Sequence, residues 1–445
     1  MISDFIIIER DSKIPLYNQI FLQIKNAIES GSLKENEKIP SVRKLCSDLE
    51  VSKTTVEYAY NMLCSQGYII NKPQSGYYVE KGLVIEKALR IDNEPEESAE
   101  IYKYDFSGNG IDNNCSNIRE WRKYVKDILN REYLLNTYSE NQGERQLRDT
   151  IQKYAFMTRG VNTDSDNIII GSGSQTLIYI LCGIFGVNKT VAIEKNTFPQ
   201  AEQVFRDFNY TIHYISSDKK GIRADELTRI KPDILLINPN YNAESGKAMP
   251  VTRKLELINA AQACGCTILE DDYNGELRYR TTPTVCLQSY GAEQTVYIGS
   301  FSKILLPSVR ISFMALPKNL KSQYDKVKNN YNQTTSKVEQ LALAEYISDG
   351  KLEKHLRKSR RYYKTKSETF EKLLKKCFKD VLFNETGMTF EIRVNNIDAV
   401  KKLNENGVRP MNTSTDNIIR LNISQISEES FAEGIQIMKK ALNSK

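Results

Sequence analysis

The chain has 445 residues, 40% of them apolar, enough for two or three domains with their own cores. Its formal net charge of +6 is mild for that length and identifies no nucleic-acid partner by itself. Two histidines, His213 and His355, leave little room for a His-based zinc centre or a Ser-His-Asp triad. Eight cysteines without a CxxC pair, early charges at Asp4, Glu9 and Arg10, and no long apolar run predict a reduced, cytoplasmic chain with no leader and no membrane span.

Residues 1–80 predict three short helices and a hairpin. Ile20, Ile24 and Ala27-Ile28 recur at helical spacing after Pro15, and Gly31 ends that helix. Ser41 is an N-cap for a second helix, with Val42, Leu45 and Leu49 on one side. Ser52 caps a third, with Val56, Ala59-Tyr60 and Leu63 inward and Gly67 as the stop. Tyr68-Ile69-Ile70, a turn through Pro73-Gln74-Ser75-Gly76, and Tyr77-Tyr78-Val79 read as a β-hairpin. This order is that of a winged helix-turn-helix. The polar start Ser52-Lys53-Thr54-Thr55 suits the end of a recognition helix that enters the major groove. Lys53 and Arg43 suit phosphates or guanine edges, and Thr54 and Thr55 suit phosphates or bases. Lys72 and Ser75 at the hairpin tip suit the backbone beside it. A helical interaction module with a solvated face fits the same pattern, and nine Lys/Arg against ten Asp/Glu in residues 1–80 favours it somewhat.

The stretch from Pro15 to Val79 resembles the GntR family of bacterial regulators. The resemblance rests on P-L-Y-x-Q-I at Pro15–Ile20, I-P-S-V-R-K-L at Ile39–Leu45, V-S-K-T-T-V at Val51–Val56 and L-x-x-x-G-Y at Leu63–Tyr68. It implies double-stranded DNA as partner, with Arg43, Lys53, Thr54 and Thr55 at contact positions. Glu57 departs from the family pattern. An acid there repels phosphates, so either the operator differs or Glu57 reads a cytosine amine.

Residues 81–101, with the acidic run Asp92-Asn93-Glu94-Pro95-Glu96-Glu97-Ser98, predict a solvated linker. From residue 102 to 445, short apolar runs alternate with helical stretches. Ile168–Ile170, Thr190–Ile193, Ile234–Ile237, Thr267–Leu269 and Val296–Ile298 predict a mostly parallel sheet with helices on both faces. Ligands in such sheets sit beyond the carboxyl ends of strands. Gly171-Ser172-Gly173-Ser174-Gln175 opens an apolar helix there, as a phosphate-binding turn does. Glu270-Asp271-Asp272-Tyr273 follows another run; consecutive acids there bind a metal, cap a helix or hold a pyridine nitrogen protonated. Lys303 lies between two strand-like runs with Ser300, Ser302 and Arg310 near it. A desolvated lysine forms Schiff bases with aldehydes, and the flanking hydroxyls and guanidinium suit an anion such as the phosphate of pyridoxal 5′-phosphate (PLP). Short Ser/Lys clusters also occur in plain surface loops.

The order of these sites is similar to that of fold type I PLP enzymes, the aspartate aminotransferase superfamily, across essentially all of residues 102–445. The resemblance implies a large α/β domain with a small C-terminal α+β subdomain from about residue 335. It implies that Lys303 forms the internal aldimine, that Asp271 pairs with the pyridine nitrogen and Tyr273 with the ring hydroxyl, and that Ser174, Gln175, Ser300, Ser302 and Arg310 take the phosphate. Phe198 falls where an aromatic ring stacks on the cofactor, and Tyr138 resembles the tyrosine that reaches the neighbouring subunit's phosphate. Arg420 resembles the arginine that grips an α-carboxylate. His355 reads as structural. Two departures stand out. Ala243-Glu244-Ser245-Gly246 replaces the usual N-P-T-G, with Asn240 or Asn242 as substitutes for its asparagine, and Gln200 stands where relatives that bind γ-aminobutyrate have an arginine nearby.

A GntR-type module linked to an aminotransferase-like body is the architecture of the MocR subfamily. That resemblance implies a PLP-dependent transcriptional regulator. It further implies a homodimer in which one subunit's DNA module packs on the other's body, with PLP or an amino compound sensed through external aldimine formation at Lys303. The alternative is an active aminotransferase with a tethered DNA-binding module.

Overall fold

The computed structural model describes residues 6–10, 12, 14–80, 102–108, 110–112, 114–194, 198–240, 242, 247–273, 275–279, 284–379, 381–383, 387–394, 398–411 and 417–443. The predicted linker 81–101 and the departing segment 243–246 lie outside the described residues. The chain divides into two compact units, Met1–Ile101 and Tyr102–Lys445.

In the first unit the helices are α1 (Leu16–Glu29), α2 (Val42–Leu49) and α3 (Lys53–Ser65), followed by strands β1 (Ile69–Lys72) and β2 (Gly76–Val79). Ser41 Oγ accepts the Lys44 N–H and Ser52 Oγ accepts the Thr55 N–H, so both predicted caps satisfy orphan amides. Glu50, left-handed at φ 50°, closes α2. Ile20, Ile24, Ile28, Leu45, Val56, Ala59, Tyr60 and Leu63 are fully buried. The hairpin pairs Ile69 with Val79 through to Lys72 with Gly76. These are the elements the periodicity predicts, because each helix has one apolar face and one neighbour to bury it on.

The second unit opens with α4 (Ile118–Leu129) and α5 (Arg145–Arg159). A seven-stranded sheet follows: β3 (Ile168–Gly171), β4 (Thr190–Ile193), β5 (Thr211–Tyr214), β6 (Ile234–Ile237), β7 (Thr267–Asp272), β8 (Thr295–Ser300) and β9 (Ser312–Ala315), in the order β3-β9-β8-β7-β6-β4-β5. β9 is antiparallel to both its neighbours and the other pairings are parallel. Successive residues of the strands feed opposite cores. Ile168 and Ile170 join Tyr297 and Phe313 under α4 and α5, while Ile169 joins Val296 and Met314 under the helix α6 (Ser174–Phe185). Burial on both faces is what makes these strands continuous apolar runs.

The helix α7 (Lys337–Ser348) packs against α4 and α5 in the large core, and the long helix α8 (Lys351–Cys377) leads out of it. Beyond α8 a three-stranded antiparallel sheet, β10 (Val381–Phe383), β11 (Thr389–Arg393) and β12 (Ile418–Asn422), and the helix α9 (Phe431–Asn443) form a second core. Tyr104 and Phe106, from the start of the unit, complete that core. So the small subdomain borrows chain from both ends of the body. No helix among the described residues is long and apolar enough to cross a membrane.

Candidate functional site

Because β3, β7 and β8 run parallel, their carboxyl ends share one edge of the sheet, and β9 starts there. The predicted residues of three separate sequence segments meet at this edge. Gly173 is the N-cap of α6 with φ 109°, a conformation that favours glycine. A Cβ on it would lie 2.8 Å from Arg310 Nη2, so the backbone and the guanidinium approach each other across space that only glycine leaves open. Arg310 is itself left-handed, at φ 52°. The result is a cradle with the amides of a helix N-terminus on one side and the Arg310 guanidinium on the other, the chemistry that holds a phosphate. Ser302 Oγ lines the adjoining cavity, is buried, and has no hydrogen-bond partner among the described residues. Ser300 Oγ is bound to Ser312 Oγ at 3.0 Å, and Gln175 is exposed beside the turn.

Lys303 stands in the turn after β8. The residue as a whole is exposed and lines the cavity, while protein packed around the amine desolvates it and holds its pKa below lysine's ordinary value. Among the described residues no carboxylate pairs with it. The nitrogen lies 5.5 Å from the centroid of the Tyr273 ring.

The three acids that follow Leu269 belong to β7, which is longer than its apolar run. Alternation along the strand separates their roles. Glu270 accepts the amides of Leu287 and Gln288, both at 2.8 Å, and holds a loop. Asp272 is bound by Arg159 Nε at 2.7 Å, Asn240 Nδ2 at 2.7 Å and the Tyr297 hydroxyl at 2.8 Å. Asp271, on the opposite face, has among the described residues only the Ser174 hydroxyl, at 3.4 Å. Burial, helped by the neighbouring Asp272, pushes its carboxyl up to about 7. A buried acid so poorly satisfied suits a cationic N–H partner.

A cavity of about 370 Å³ joins Lys303, Ser302 and Arg310 to Arg420 on β12. Arg420 sits opposite Glu391 of β11, and its Nε donates to Glu391 Oε1 at 2.8 Å. The terminal guanidinium nitrogens make no hydrogen bond among the described residues. Sequence reading did not single out Glu391, nor the cavity's Ile111, Leu277, Met388 and Met411, because only cross-strand register and the return of the small subdomain bring them there.

Phe198, at the N-terminus of the helix Pro199–Asp207, packs half-buried on the core beside β4, and Gln200 is exposed on that helix. Tyr138 is fully exposed. Neither Phe198 nor Tyr138 lines the cavity within this chain. Asn240 is bound to Asp272, and Asn242 Nδ2 donates to the Asp218 carbonyl. His355 is buried in α8, and burial lowers its pKa. No metal-ligating cluster occurs among the described residues.

In the first unit, Ser52, Lys53, Thr54 and Thr55 form the first turn of α3. Ser52 Oγ also bonds the hydroxyls of Thr54 and Thr55, at 3.0 and 2.7 Å. Lys53 projects outward and pairs with Glu57 at 3.2 Å, while Arg43 is exposed on α2. At the hairpin, Lys72 lies 4.5 Å from the Tyr78 ring centroid and Ser75 Oγ bonds the Tyr78 hydroxyl at 2.7 Å.

Fold and site together define a winged helix-turn-helix module with an aminotransferase-type body. Residues 16–79 match the bacterial regulatory proteins of the gntR family, and residues 104–437 match aminotransferase class I and II. The chain is 33% identical over 368 residues to the uncharacterized HTH-type transcriptional regulator YdeL of Bacillus subtilis, covering 81% of this chain and 79% of that one. It is 24% identical to the probable rhizopine catabolism regulatory protein MocR of Rhizobium meliloti, over 87% of this chain and 83% of that one. In three dimensions the kynurenine aminotransferase of Pyrococcus horikoshii matches with a TM-score of 0.68 at 22% identity, covering 78% of this chain and 91% of that one. The chain belongs to the MocR subfamily of HTH-type transcriptional regulators, which couple a gntR module to an aminotransferase class I and II domain. The cofactor of that domain is PLP. The described residues fit it: a glycine cradle with a guanidinium for the phosphate, an unpartnered buried hydroxyl, a poorly satisfied buried acid, and a lysine with lowered pKa.

Proposed function

We propose that the protein binds operator DNA and that its body reports PLP, or an amino compound meeting PLP, to the DNA module. The observation that carries the reading is the single cavity shared by Lys303 and Arg420, an amine-reactive group and a carboxylate anchor. In this reading Lys303 is the attachment point, Asp271 holds the pyridine nitrogen and Tyr273 the ring hydroxyl. Ser174, Gln175, Ser300, Ser302 and Arg310 hold the phosphate, and Phe198 faces the ring. Arg420 takes the effector's carboxylate. When bound, the cofactor would supply an aldehyde carbon reactive toward amines, with Lys303 as its attachment point and Arg420 placed to hold the carboxylate of a competing amine. Displacement of Lys303 and engagement of Arg420 give the ligand a differential affinity for two arrangements of the body.

We further assign residues 1–80 to the DNA module, 81–101 to a linker and 102–445 to the effector body. Arg43, Ser52, Lys53, Thr54, Thr55, Lys72 and Ser75 form the DNA-facing surface. The protein works as a domain-swapped homodimer, a reading supported by the full exposure of Tyr138, as befits a residue serving a neighbouring subunit. All eight cysteines are free, which supports a reducing, cytoplasmic setting.

The test is binding to DNA upstream of the protein's own gene, with and without PLP, for wild type and Lys303→Ala. Specific binding that changes with PLP in the wild type only is expected. Specific binding indifferent to PLP and to the lysine overturns the PLP-linked reading, and steady release of a keto acid from amino acids favours the aminotransferase alternative.

A further inference from the structure

The small antiparallel sheet has two faces of different chemistry. Phe390 and Ile392 of β11, with Ile419 and Leu421 of β12, are buried in the small core. The alternate residues, Thr389, Glu391, Arg420 and Asn422, belong to the other face. Register sets Glu391 opposite Arg420 and Thr389 opposite Asn422. Thr389, Arg420 and Asn422 line the cavity that also reaches Lys303. An acid is therefore paired directly with the carboxylate anchor, on the face of the sheet that forms the cavity wall.

The contact has a definite geometry. Glu391 Oε1 accepts from Arg420 Nε at 2.8 Å, and the Met411 amide donates to the Arg420 carbonyl at 2.9 Å. A guanidinium offers a carboxylate two forks, one made by Nε with a terminal nitrogen and one made by the two terminal nitrogens. Glu391 occupies Nε and closes the first fork, so a ligand carboxylate meets the second. Holding the guanidinium in one orientation favours that ligand, because less side-chain freedom remains to be lost on binding. The charge of Glu391 acts the other way, repelling a second carboxylate on the same guanidinium. The Arg420 and Glu391 side chains are 27% and 18% exposed, so solvent screens this repulsion only in part.

We infer that Glu391 is a positioning residue that sets the grip of Arg420: it aims the terminal fork, and it keeps the affinity for carboxylates below what the arginine alone would give. This rests on the PLP reading above, with Arg420 as its carboxylate anchor, and adds to it the residue that tunes the anchor.

The test uses the full-length protein loaded with PLP and follows the absorbance band of the lysine-linked cofactor. Two pairs of amines that differ by a carboxylate are titrated: L-alanine with ethylamine, and L-phenylalanine with 2-phenylethylamine. The readout is the ratio of half-saturation within each pair. Glu391→Gln keeps an oxygen for Arg420 Nε and removes the charge, and should raise the preference for the carboxylate-bearing member by about three- to tenfold. Glu391→Ala loses the oxygen as well, so its gain should be smaller. Arg420→Ala should abolish the preference, and adding Glu391→Gln to it should change the ratio by less than about twofold. A role in packing alone would weaken both members of a pair alike. A preference unchanged or lowered in Glu391→Gln, or raised just as much when Arg420 is absent, overturns the inference while leaving the PLP reading in place. An equal gain in the Gln and Ala variants overturns the aiming role. A wild type without a Lys303-dependent band, or with a band that none of the four amines moves, overturns the PLP reading and the inference with it.

Discussion

Burial acts in opposite senses on two groups of the candidate site, lowering the pKa of Lys303 and raising that of Asp271. For a carboxyl with a raised folded-state pKa, the stabilising contribution is full below the ordinary carboxylate range and is lost as pH climbs toward about 7. Such raised carboxyls therefore pull the melting temperature of the cofactor-free protein down as pH rises from about 4 to 7, against the opposite pull of carboxyls held low, such as Asp112 and Asp233. Asp271→Asn should flatten part of that slope, with Glu270 and Glu276, also raised to about 7, keeping the rest. Thermal unfolding at several pH values checks this; an unchanged slope in the variant would remove Asp271 from the account. Gly173→Ala places a side chain at φ 109° and 2.8 Å from Arg310 Nη2. The backbone cost of about 1–3 kcal/mol and the displaced guanidinium should weaken PLP binding by about tenfold or more, read from a cofactor titration, while circular dichroism stays native.

At the scale of elements, the helix caps and the edge strand mark what can be read from local sequence. Ser52 both caps α3 and gathers the hydroxyls of Thr54 and Thr55, so Ser52→Ala should cost the first unit about 1 kcal/mol in a urea titration. Lys53→Ala, by contrast, should leave stability nearly unchanged and lower the slope of log K against log salt by about one on operator DNA. The cap was legible because N-capping is a local hydrogen bond. The strand β5 was not, since its ends are exposed and it lacks the continuous apolar run of its buried neighbours. The strand β7 was read short for the opposite reason. Its last three residues are acids, and they stay in the sheet because Leu287 and Gln288 amides, Arg159, Asn240 and Tyr297 satisfy two of them.

On the scale of the whole molecule, any ligand that changes DNA affinity must itself bind tighter or weaker by the same factor when operator is present. An amino acid that shifts the operator dissociation constant fivefold should show a fivefold shift in its own half-saturation on adding saturating operator, measured by the cofactor band. A shift on one side only would show that the two measurements do not share an equilibrium. The coupling expected is about 1–3 kcal/mol, small against the stability of either unit's core, so variants should be chosen that leave both units folded.

The sequence alone determined the order of parts: a capped three-helix module with a hairpin, then alternating apolar runs with a glycine turn, an acid and a lysine just past their ends. These are local signals, set by periodicity, capping and the conformations glycine permits, and they survive without knowledge of any contact. Tertiary structure decided which acid of three meets Ser174, that Arg310 approaches Gly173, that Glu391 holds Arg420, and that Ile111 meets Met388 and Met411 around one cavity. Each of these depends on strand register or on chain returning from more than a hundred residues away, and no local pattern encodes the distance between two side chains that meet only when the sheet is assembled.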